Sequence, residues 1–343
     1  MKDPLSIVSI KDVARAANVS HSTVSRALRN SSLVRAETAE KIQRIAREAN
    51  FRVSAVGRSL ATGRTFSIGV VVTTVADPFM ADVVAGIEEA ANARGYSVTL
   101  ASSKTDPERE MKLVQSFEER RVDGILIIAS RVGSVYLSVL AEMKIPIVLI
   151  NSYHPGEFTY SVTVDNIAAC RSATRFLIQL GHRKIGFIGN KYGAQSNAGR
   201  QAGYRRALED ANIPFRPELV LLGDARVEGG FQALEHLLLL PPAEAPTALV
   251  CYNDLTAVGV LNAAYRHKIV VPDDLSVIGF DDLTIASYAI PPLTTVRQPK
   301  HEMGRVATEI VFNLLAGSTT EKSYTFQTDL ILRDSTAPPR KRD

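Results

Sequence analysis

Residues 12–28 read DVARAANVSHSTVSRAL, and the spacing of apolar residues in this stretch decides how it folds. The apolar side chains fall mostly three or four positions apart, which is the repeat of an amphipathic helix. Asn18 lies where the chain must turn, and asparagine tolerates a left-handed backbone better than most residues do. Asp12 and Ser20 can each cap a helix. The stretch therefore predicts two short helices joined by a tight turn.

The second helix, predicted over about residues 21–29, presents a small polar face without a carboxylate. Hydroxyl side chains allow a helix to approach a duplex closely and can donate to phosphate oxygens. Arg26 can donate to both O6 and N7 of guanine, a contact that discriminates by about 1–3 kcal/mol. With a third helix over about residues 36–50, the pattern predicts a helix-turn-helix. An ordinary helix pair with an exposed polar face is the alternative. The outward residues are His21, Ser22, Ser25, Arg26 and Arg29.

Charge is unevenly distributed along the 343 residues. Residues 1–66 contain 12 Lys and Arg against 5 Asp and Glu, whereas the remainder contains 28 against 31. A basic head (residues 1–66) on a slightly acidic remainder of the chain indicates that the head binds a polyanion. A merely solvated basic face would give the same count, so charge alone does not decide between them.

The cysteines, the first residues and the lengths of the apolar runs indicate which class of protein this is. The two cysteines, Cys170 and Cys251, form neither a metal-binding spacing nor a disulfide framework, which favours a reducing compartment. The first residues do not resemble an export signal, and no apolar run approaches the ~20 residues that span a membrane. We therefore expect a cytoplasmic protein without membrane contact. No activated nucleophile or metal-ligand spacing is visible, so no enzyme activity, cofactor or metal is expected.

From residue 67 onward, apolar strand-like runs alternate with helical patterns. This alternation of strand-like runs and helical patterns occurs twice, over roughly 67–163 and 166–292. Residues 294–333 are expected to carry one more helix and a strand, which cross back. Continuous apolar runs separated by helices predict parallel strands covered on both faces. The predicted fold class is an all-α helix-turn-helix head followed by an α/β core of two doubly wound parallel-sheet subdomains.

SIKDVARAANVSHSTVSRAL (residues 9–28) and RSLATGRTFSIGVVV (residues 58–72) resemble the LacI/GalR family of bacterial transcriptional regulators. VTVDN, LGHRKIGFIGN, RQAGYRRAL, VIGFDD and PPLTTVRQP extend the resemblance over essentially the whole chain. The core is also similar to periplasmic sugar-binding proteins. The expected divisions are a helix-turn-helix domain (1–52), a hinge (53–66), an effector-binding and dimerisation core (67–333) and a disordered tail (334–343). Within the core, the N-subdomain is expected at 67–163 and 298–323, and the C-subdomain at 166–292 and 326–333.

The resemblance implies roles for residues of the head and hinge. Positions matching His21 and Ser22 select the operator, Thr23 and Ser25 match phosphate-contacting positions, and Arg26 matches a base-reading arginine. The segment 54–63 is too short for a stable isolated helix. The family implies that it becomes helical only on operator DNA, where Leu60 wedges into the minor groove; a flexible linker is the alternative. The expected DNA-binding residues are Ser20, His21, Ser22, Thr23, Ser25, Arg26, Arg29, Arg58 and Leu60.

Ligands of doubly wound sheets bind beyond the carboxyl ends of the strands, which here is the cleft between the subdomains. The expected effector-binding residues are Asp77, Phe79, Asn151, Ser196, Arg200, Asn253, Asp281 and Gln298. Arg200 matches a ligand-binding arginine, and an ionised Asp281 could accept two hydroxyls. Helix capping is the alternative for Asp77, Asn253 and Asp281, and a place in the core is the alternative for Phe79. His182 is expected to be a structural partner.

Two departures from the family pattern bear on the effector. Asn151-Ser152 replaces the Asp-Arg of many sugar-responsive relatives, and Ala194 replaces an arginine of the purine-responsive branch. The first departure weakens a pentose-like analogy and the second disfavours a purine corepressor, so a small polar metabolite, preferably a sugar or sugar derivative, remains the expected effector. We expect a homodimeric regulator, preferably a repressor, that binds a pseudo-palindromic operator as double-stranded DNA and is switched by this small molecule. A corepressor-dependent regulator and a ligand-binding module without DNA function are the alternatives.

Overall fold

The computed structural model describes residues 9–28, 31–51, 57, 59, 62–130, 137–152 and 160–340. Contacts divide the chain between Thr65 and Phe66 into a head and a core. Each of these two units has its own hydrophobic interior, and they are described separately below.

The head contains α1 (Ile10–Ala17), α2 (His21–Ala27) and α3 (Ala36–Glu48). Asn18 has the left-handed backbone that the sequence predicts, with φ of 56°. Ser20 caps α2, because its Oγ accepts the backbone N–H of Thr23 at 3.1 Å. The prediction that Asp12 is the first cap is wrong: Ser9 occupies that position, and the Asp12 carboxylate accepts the Ser9 N–H at 3.0 Å from one turn further on.

The three helices of the head enclose a small apolar core. Val24 and Ala27 of α2 are fully buried, as is Ile42 of α3. They pack with Val13 and Ala17 of α1, so all three helices contribute to one cluster. This packing fixes which side of α2 faces outward.

The N-subdomain is a six-stranded sheet in the order β11-β5-β4-β3-β1-β2, with every pairing parallel. Its strands are β1 (Ser67–Val72), β2 (Ser97–Ser102), β3 (Gly124–Ile128), β4 (Ile147–Ile150), β5 (Tyr160–Val164) and β11 (Ser323–Phe326). Its helices are α4 (Pro78–Asn92), α5 (Pro107–Glu119), α6 (Leu137–Glu142) and α12 (Lys300–Leu315). The central strands are buried along their length, as the continuous apolar runs predict.

The C-subdomain repeats this plan in the order β12-β10-β9-β8-β6-β7, in which only β12 is antiparallel among the described strands. Its strands are β6 (Ile185–Asn190), β7 (Val220–Gly223), β8 (Ala248–Cys251), β9 (Ser276–Asp281), β10 (Thr294–Arg297) and β12 (Asp329–Ile331). Its helices are α7 (Asn166–Gln179), α8 (Ala194–Asp210), α9 (Val227–Leu237), α10 (Asp254–Arg266) and α11 (Thr284–Tyr288).

The chain passes between the subdomains three times, after β5, after β10 and after β11. The sequence predicts one helix and one strand over residues 294–333, whereas the structure has α12 and the three strands β10, β11 and β12. These strands are three or four residues long and include many polar side chains, so they lack the apolar run that marks the other strands.

The prediction of a disordered tail over residues 334–343 is wrong for residues 334–340. The Ser335 hydroxyl is buried, accepts the N–H of Thr294 at 2.8 Å and donates to the carbonyl of Val277 at 2.6 Å. His182 contacts the carbonyl of Ala337 through Nε2 at 2.9 Å, which makes this histidine a structural partner as predicted. The tail is ordered because its polar groups satisfy groups at the margin of the second sheet. Residues 341–343 lie outside the described residues.

Among the described helices, none is both long enough and apolar enough to cross a lipid bilayer.

Asp254 is a buried carboxyl in the first turn of α10. Its Oδ1 accepts the hydroxyl of Thr295 at 2.5 Å, and its Oδ2 accepts the N–H of Leu283 at 2.7 Å. Burial raises the pKa of Asp254 to about 7, although these two hydrogen bonds act in the opposite direction. The folded protein therefore retains a proton here that the unfolded chain releases near its ordinary pKa of 3.8.

We expect Asp254→Asn to remove one component of the pH dependence of stability. Since the folded pKa is raised, the wild type loses stability as pH rises from about 4 to about 7. The asparagine amide cannot ionise, and it can donate to Thr295 while accepting from Leu283. The free energy of unfolding of the variant minus that of the wild type should grow by about 2–4 kcal/mol over this interval. Urea titrations at fixed ionic strength measure it, with Asp210→Asn as an exposed control. A difference independent of pH would contradict this interpretation.

Candidate functional site

The outward face of α2 has the arrangement that the sequence predicts. His21, Ser22 and Arg26 are exposed, whereas Thr23 and Ser25 are half-buried beside the apolar interior. The exposed Ser20 hydroxyl lies 2.7 Å from the Ser22 hydroxyl and 2.8 Å from the Thr23 hydroxyl, which clusters three hydroxyls at the start of the helix. Such a surface can donate to phosphate oxygens while Arg26 reaches base edges.

Part of the predicted DNA-binding set lies outside the described residues, namely Arg29, Arg58 and Leu60. In the hinge, the described positions Gly57, Ser59 and Thr62 are helical. The Gly63 N–H donates to the Ser59 carbonyl at 2.8 Å, and the left-handed Gly63 ends the turn. These three positions have helical backbone, while the expectation that the segment becomes helical only on operator DNA stays a prediction.

In the core, Arg200 of α8 is a buried cation at the cleft. Its Nε donates to the Asn166 side-chain carbonyl at 2.9 Å, and its Nη1 donates to the backbone carbonyl of Tyr252. The guanidinium carbon lies 3.6 Å from the ring centre of Phe280 and 4.4 Å from that of Tyr252. These contacts leave Nη2 without a hydrogen bond to the described residues. Arg200 is therefore held rigidly by groups of the C-subdomain.

Asp281 ends β9 with its carboxylate buried in the same region. Its Oδ1 accepts the side-chain amide of Gln298 at 2.5 Å. Burial raises the pKa of Asp281 well above its ordinary value; Arg200 opposes this increase, and the neighbouring Asp254 and Asp77 carboxyls add to it. The N-cap of α11 is Leu283, so helix capping does not account for Asp281.

Two buried acceptors lack a donor among the described residues, namely Oδ1 of Asn151 and Oε1 of Gln298. A buried acceptor without a partner costs about 1–3 kcal/mol, so native proteins seldom leave one unsatisfied. Asn151 lines a cavity of about 560 Å³ together with Ser196 and Asn166, and Gln298 lines a separate cavity of about 450 Å³ together with Asp282 and Lys300. In each cavity, a bound molecule that presents hydroxyl or N–H donors could supply the missing partner.

Three predicted effector residues have structural roles. The Asp77 carboxylate caps α4 by accepting the Phe79 N–H at 3.0 Å, and burial raises its pKa while this bond and Arg226 lower it. The Phe79 ring lies in the N-subdomain core, which leaves little surface for stacking on a ligand. Asn253 caps α10 through Oδ1, and its Nδ2 donates to the Ala225 carbonyl at 3.0 Å, so both ends of its amide are occupied.

The structure adds two residues that the sequence interpretation missed. The Tyr252 hydroxyl lies 2.8 Å from the Ser196 hydroxyl, and its backbone carbonyl accepts from Arg200. Asn166 connects Arg200 to the first chain crossing between the subdomains. Tyr252 follows β8 directly, so the rule that selected polar residues after strands could have found it. Asn166 follows β5 by two residues, and no property of its own sequence position marks it.

Within the described ranges, no three His, Cys, Asp or Glu side chains converge in a way that could hold a metal ion.

Comparisons with known proteins agree with both units. Residues 9–54 match the model for bacterial regulatory proteins of the lacI family, and residues 174–336 match that for the periplasmic binding protein-like domain. The transcriptional regulator RegA of Clostridium saccharobutylicum is 36% identical over 330 residues, which cover 96% of this chain and 99% of RegA. The transcriptional repressor PurR of Haemophilus influenzae is 33% identical over 305 residues, which cover 89% of this chain and 90% of PurR.

Solved structures extend the agreement to the fold. The lac repressor dimer bound to operator and the anti-inducer ONPF has a TM-score of 0.87 and 27% identity, with 97% of this chain and 100% of that chain covered. The complex of the regulator CelR with cellobiose has a TM-score of 0.73 and 30% identity, with 96% and 99% covered. The predicted fold class and family are thereby confirmed. The chain belongs to the LacI family of bacterial transcriptional regulators, which are DNA-binding proteins with an effector-binding core and not enzymes.

Proposed function

We propose that the protein is a homodimeric repressor whose affinity for a pseudo-palindromic operator is switched by a sugar or sugar derivative bound between the core subdomains. The observation that carries the effector proposal is the pair of buried, unpartnered amide oxygens of Asn151 and Gln298. Gln298 is hydrogen-bonded to the Asp281 carboxylate, and Asn151 lines a cavity with Asn166, which accepts from Arg200. A ligand rich in hydroxyls would supply the missing donors.

On the DNA side, the proposal assigns base reading to Arg26 and operator selection to His21 and Ser22. The hydroxyls of Ser20, Thr23 and Ser25 would contact phosphates, and Arg29 and Arg58 would add positive charge. The lac repressor neighbour is a dimer bound to its operator, which supports two heads reading half-sites about 34–36 Å apart. Leu60 would wedge into the minor groove between those half-sites.

On the effector side, a sugar fits the chemistry of the cleft better than a purine. An ionised Asp281 can accept two neighbouring hydroxyls, while Gln298 and Asn151 each accept one more and Arg200 donates. Ser196 adds a hydroxyl at the margin. The CelR neighbour is a complex with cellobiose, which supports a sugar. The purine-responsive branch of the family makes a purine corepressor the second candidate, but Ala194 replaces the arginine of that branch and cannot donate to a purine ring.

The effector acts on operator affinity through its preference between two relative orientations of the subdomains. A ligand shifts this balance only by its differential affinity for the two states. A coupling of about 1–3 kcal/mol would change operator affinity about 5–150-fold. Release of DNA on binding would mark an inducer, and tighter binding a corepressor.

A metabolite panel tests the effector proposal. The purified protein is incubated separately with mono- and disaccharides, sugar phosphates, hypoxanthine and guanine, and its melting temperature is recorded. We expect at least one sugar to raise the melting temperature and to change the retardation of DNA upstream of the protein's own gene. A response to the purines alone would contradict the sugar proposal. Failure to retard any DNA would contradict the operator proposal.

Arg26→Ala should relax the preference for one base pair in each operator half-site. The arginine makes a contact that discriminates by about 1–3 kcal/mol, so the preference should fall about 5–150-fold. Selection from operators randomised one position at a time measures it. Arg47→Ala, which removes an exposed charge from α3, is the matched control and should weaken all sequences equally. Unchanged discrimination in Arg26→Ala would exclude the base-reading role.

Asp281→Asn should weaken effector binding while leaving DNA binding in place. The asparagine keeps an oxygen that can accept from Gln298 but loses the negative charge that strengthens hydrogen bonds to sugar hydroxyls. We expect affinity for the sugar found in the panel to fall at least about 10-fold, or about 1.4 kcal/mol. Operator affinity without sugar should change less than about 3-fold. Calorimetry and gel retardation measure the two effects, and wild-type sugar affinity in the variant would exclude this role for Asp281.

A further inference from the structure

Asp281 and Asp282 form a turn with an unusual backbone at the end of β9. Their φ angles are 116° and 51°, in the left-handed region that residues with a Cβ rarely occupy. Two consecutive residues of this kind persist only where surrounding groups hold them. What holds this turn therefore also determines where the Asp281 carboxylate points.

Side chains of Arg297, Gln298 and Arg333 hold the two carboxylates of the turn. The Asp282 carboxylate accepts from Arg297 Nε at 2.7 Å and from Arg333 Nη2 at 2.7 Å, and these two arginines lower its pKa against the effect of burial. The Asp281 carboxylate accepts from Gln298. These bonds fix the two carboxylates, whereas the peptide carbonyls of the turn need another partner.

Lys300 supplies that partner from the other subdomain. Its ammonium donates to the Asp281 carbonyl at 2.7 Å and to the Asp282 carbonyl at 2.9 Å. The lysine is only 8% exposed, and the carboxylate of Asp82 on α4 lies 3.6 Å from its Nζ. A buried ammonium is stable in such a place only because acceptors of opposite charge or dipole surround it.

The helix that carries Lys300 is fixed to the N-subdomain. It begins at Lys300, directly after the second chain crossing, and α12 packs against α4. The two helices approach so closely that a Cβ on Gly304 would lie 2.1 Å from the Val83 carbonyl oxygen, and one on Gly86 would lie 2.0 Å from the His301 carbonyl oxygen. Lys300 therefore belongs to a helix packed on the N-subdomain, while the turn that it binds ends a strand of the C-subdomain.

We infer that Lys300 is a positioning residue that holds the Asp281–Asp282 turn from the N-subdomain and so links the effector-binding carboxylate to the relative orientation of the two subdomains. This inference rests on the proposed effector role of Asp281. When the subdomains rotate, the ammonium changes its position relative to the turn, and the carboxylate is reoriented. By thermodynamic reciprocity, a sugar bound to Asp281 then favours one orientation.

Amide hydrogen exchange tests the inference without an effector. The Asp282 N–H donates to Thr295 at 3.4 Å and the Leu283 N–H to Asp254 at 2.7 Å, so their exchange reports the order of the turn. In Lys300→Met, which keeps a long apolar side chain, we expect these amides to exchange about 10-fold faster or more, with β6 and α5 unchanged. Lys300→Arg should restore most of the protection, and the exposed control Lys322→Met should match the wild type.

Two exchange results would overturn the inference. One is an unchanged rate at Asp282 and Leu283 in Lys300→Met; the other is an acceleration spread over both subdomains, which would indicate a general loss of stability.

Gel retardation with the sugar from the panel gives the second readout. In Lys300→Met, the ratio of operator affinities with and without saturating sugar should move at least about 3-fold toward unity. In Lys300→Arg, this ratio should return toward the wild-type value. An unchanged ratio in Lys300→Met would also overturn the inference. If the wild type itself responds to no sugar, the proposed function fails, while the exchange result still decides the role of Lys300.

Discussion

A carboxylate buried at the end of a parallel strand must be compensated by donors or cations, and the arrangement of the core around Asp281 follows from this requirement. Gln298 donates to the carboxylate, Arg200 lies close enough to lower its pKa, and Lys300 binds the carbonyl of the same residue. These three groups come from different parts of the chain, two of them at the second crossing between the subdomains. The groups that compensate the Asp281 carboxylate thus place the ligand cleft in contact with the segment that connects the two subdomains.

The remaining crossings are tied to the cleft in a related way. Asn166 follows the first crossing and accepts from Arg200, whose guanidinium also bonds to the end of β8. Near the third crossing, the Asp165 N–H donates to the Phe326 carbonyl at 3.4 Å. At the first crossing, a side chain that would bind an effector is therefore hydrogen-bonded to the connecting segment, and a backbone hydrogen bond joins the first crossing to the third. In such an arrangement, a bound small molecule can act on the connection between the subdomains through few intervening residues.

Local signals predicted the parts of the fold that depend on neighbouring residues. Asn18 and Ser20 have the turn and the cap that their residue types favour, and the apolar runs form the buried parallel strands. Parts that depend on distant partners were predicted wrongly or missed. The tail is ordered by contacts such as that between His182 and Ala337, which lie 155 positions apart. The short strands β10, β11 and β12 depend on pairing with β9, β5 and β10, which no local pattern encodes.

In the candidate site too, residue types predicted which side chains lie near the cleft but not which hydrogen bonds those side chains make. The topology of parallel sheets selected polar residues after strands, such as Asp281, Gln298 and Asn151, whereas Arg200 was selected from the resemblance to the LacI/GalR family. The rule could not separate Asn253, whose amide oxygen caps a helix and whose nitrogen donates to Ala225, from Asn151, whose amide oxygen is unpartnered. It also could not reveal the left-handed turn at Asp281 and Asp282, because neither residue type requires it.

Selection of fragments from the native genome by the full-length protein, with and without small metabolites from the same cells, tests most directly whether a ligand in the core controls DNA recognition by the head. The account predicts a few strongly enriched fragments that share an inverted repeat and whose recovery changes when the metabolites are added. Recovery of genomic fragments no better than of scrambled competitor, in both conditions, would contradict it.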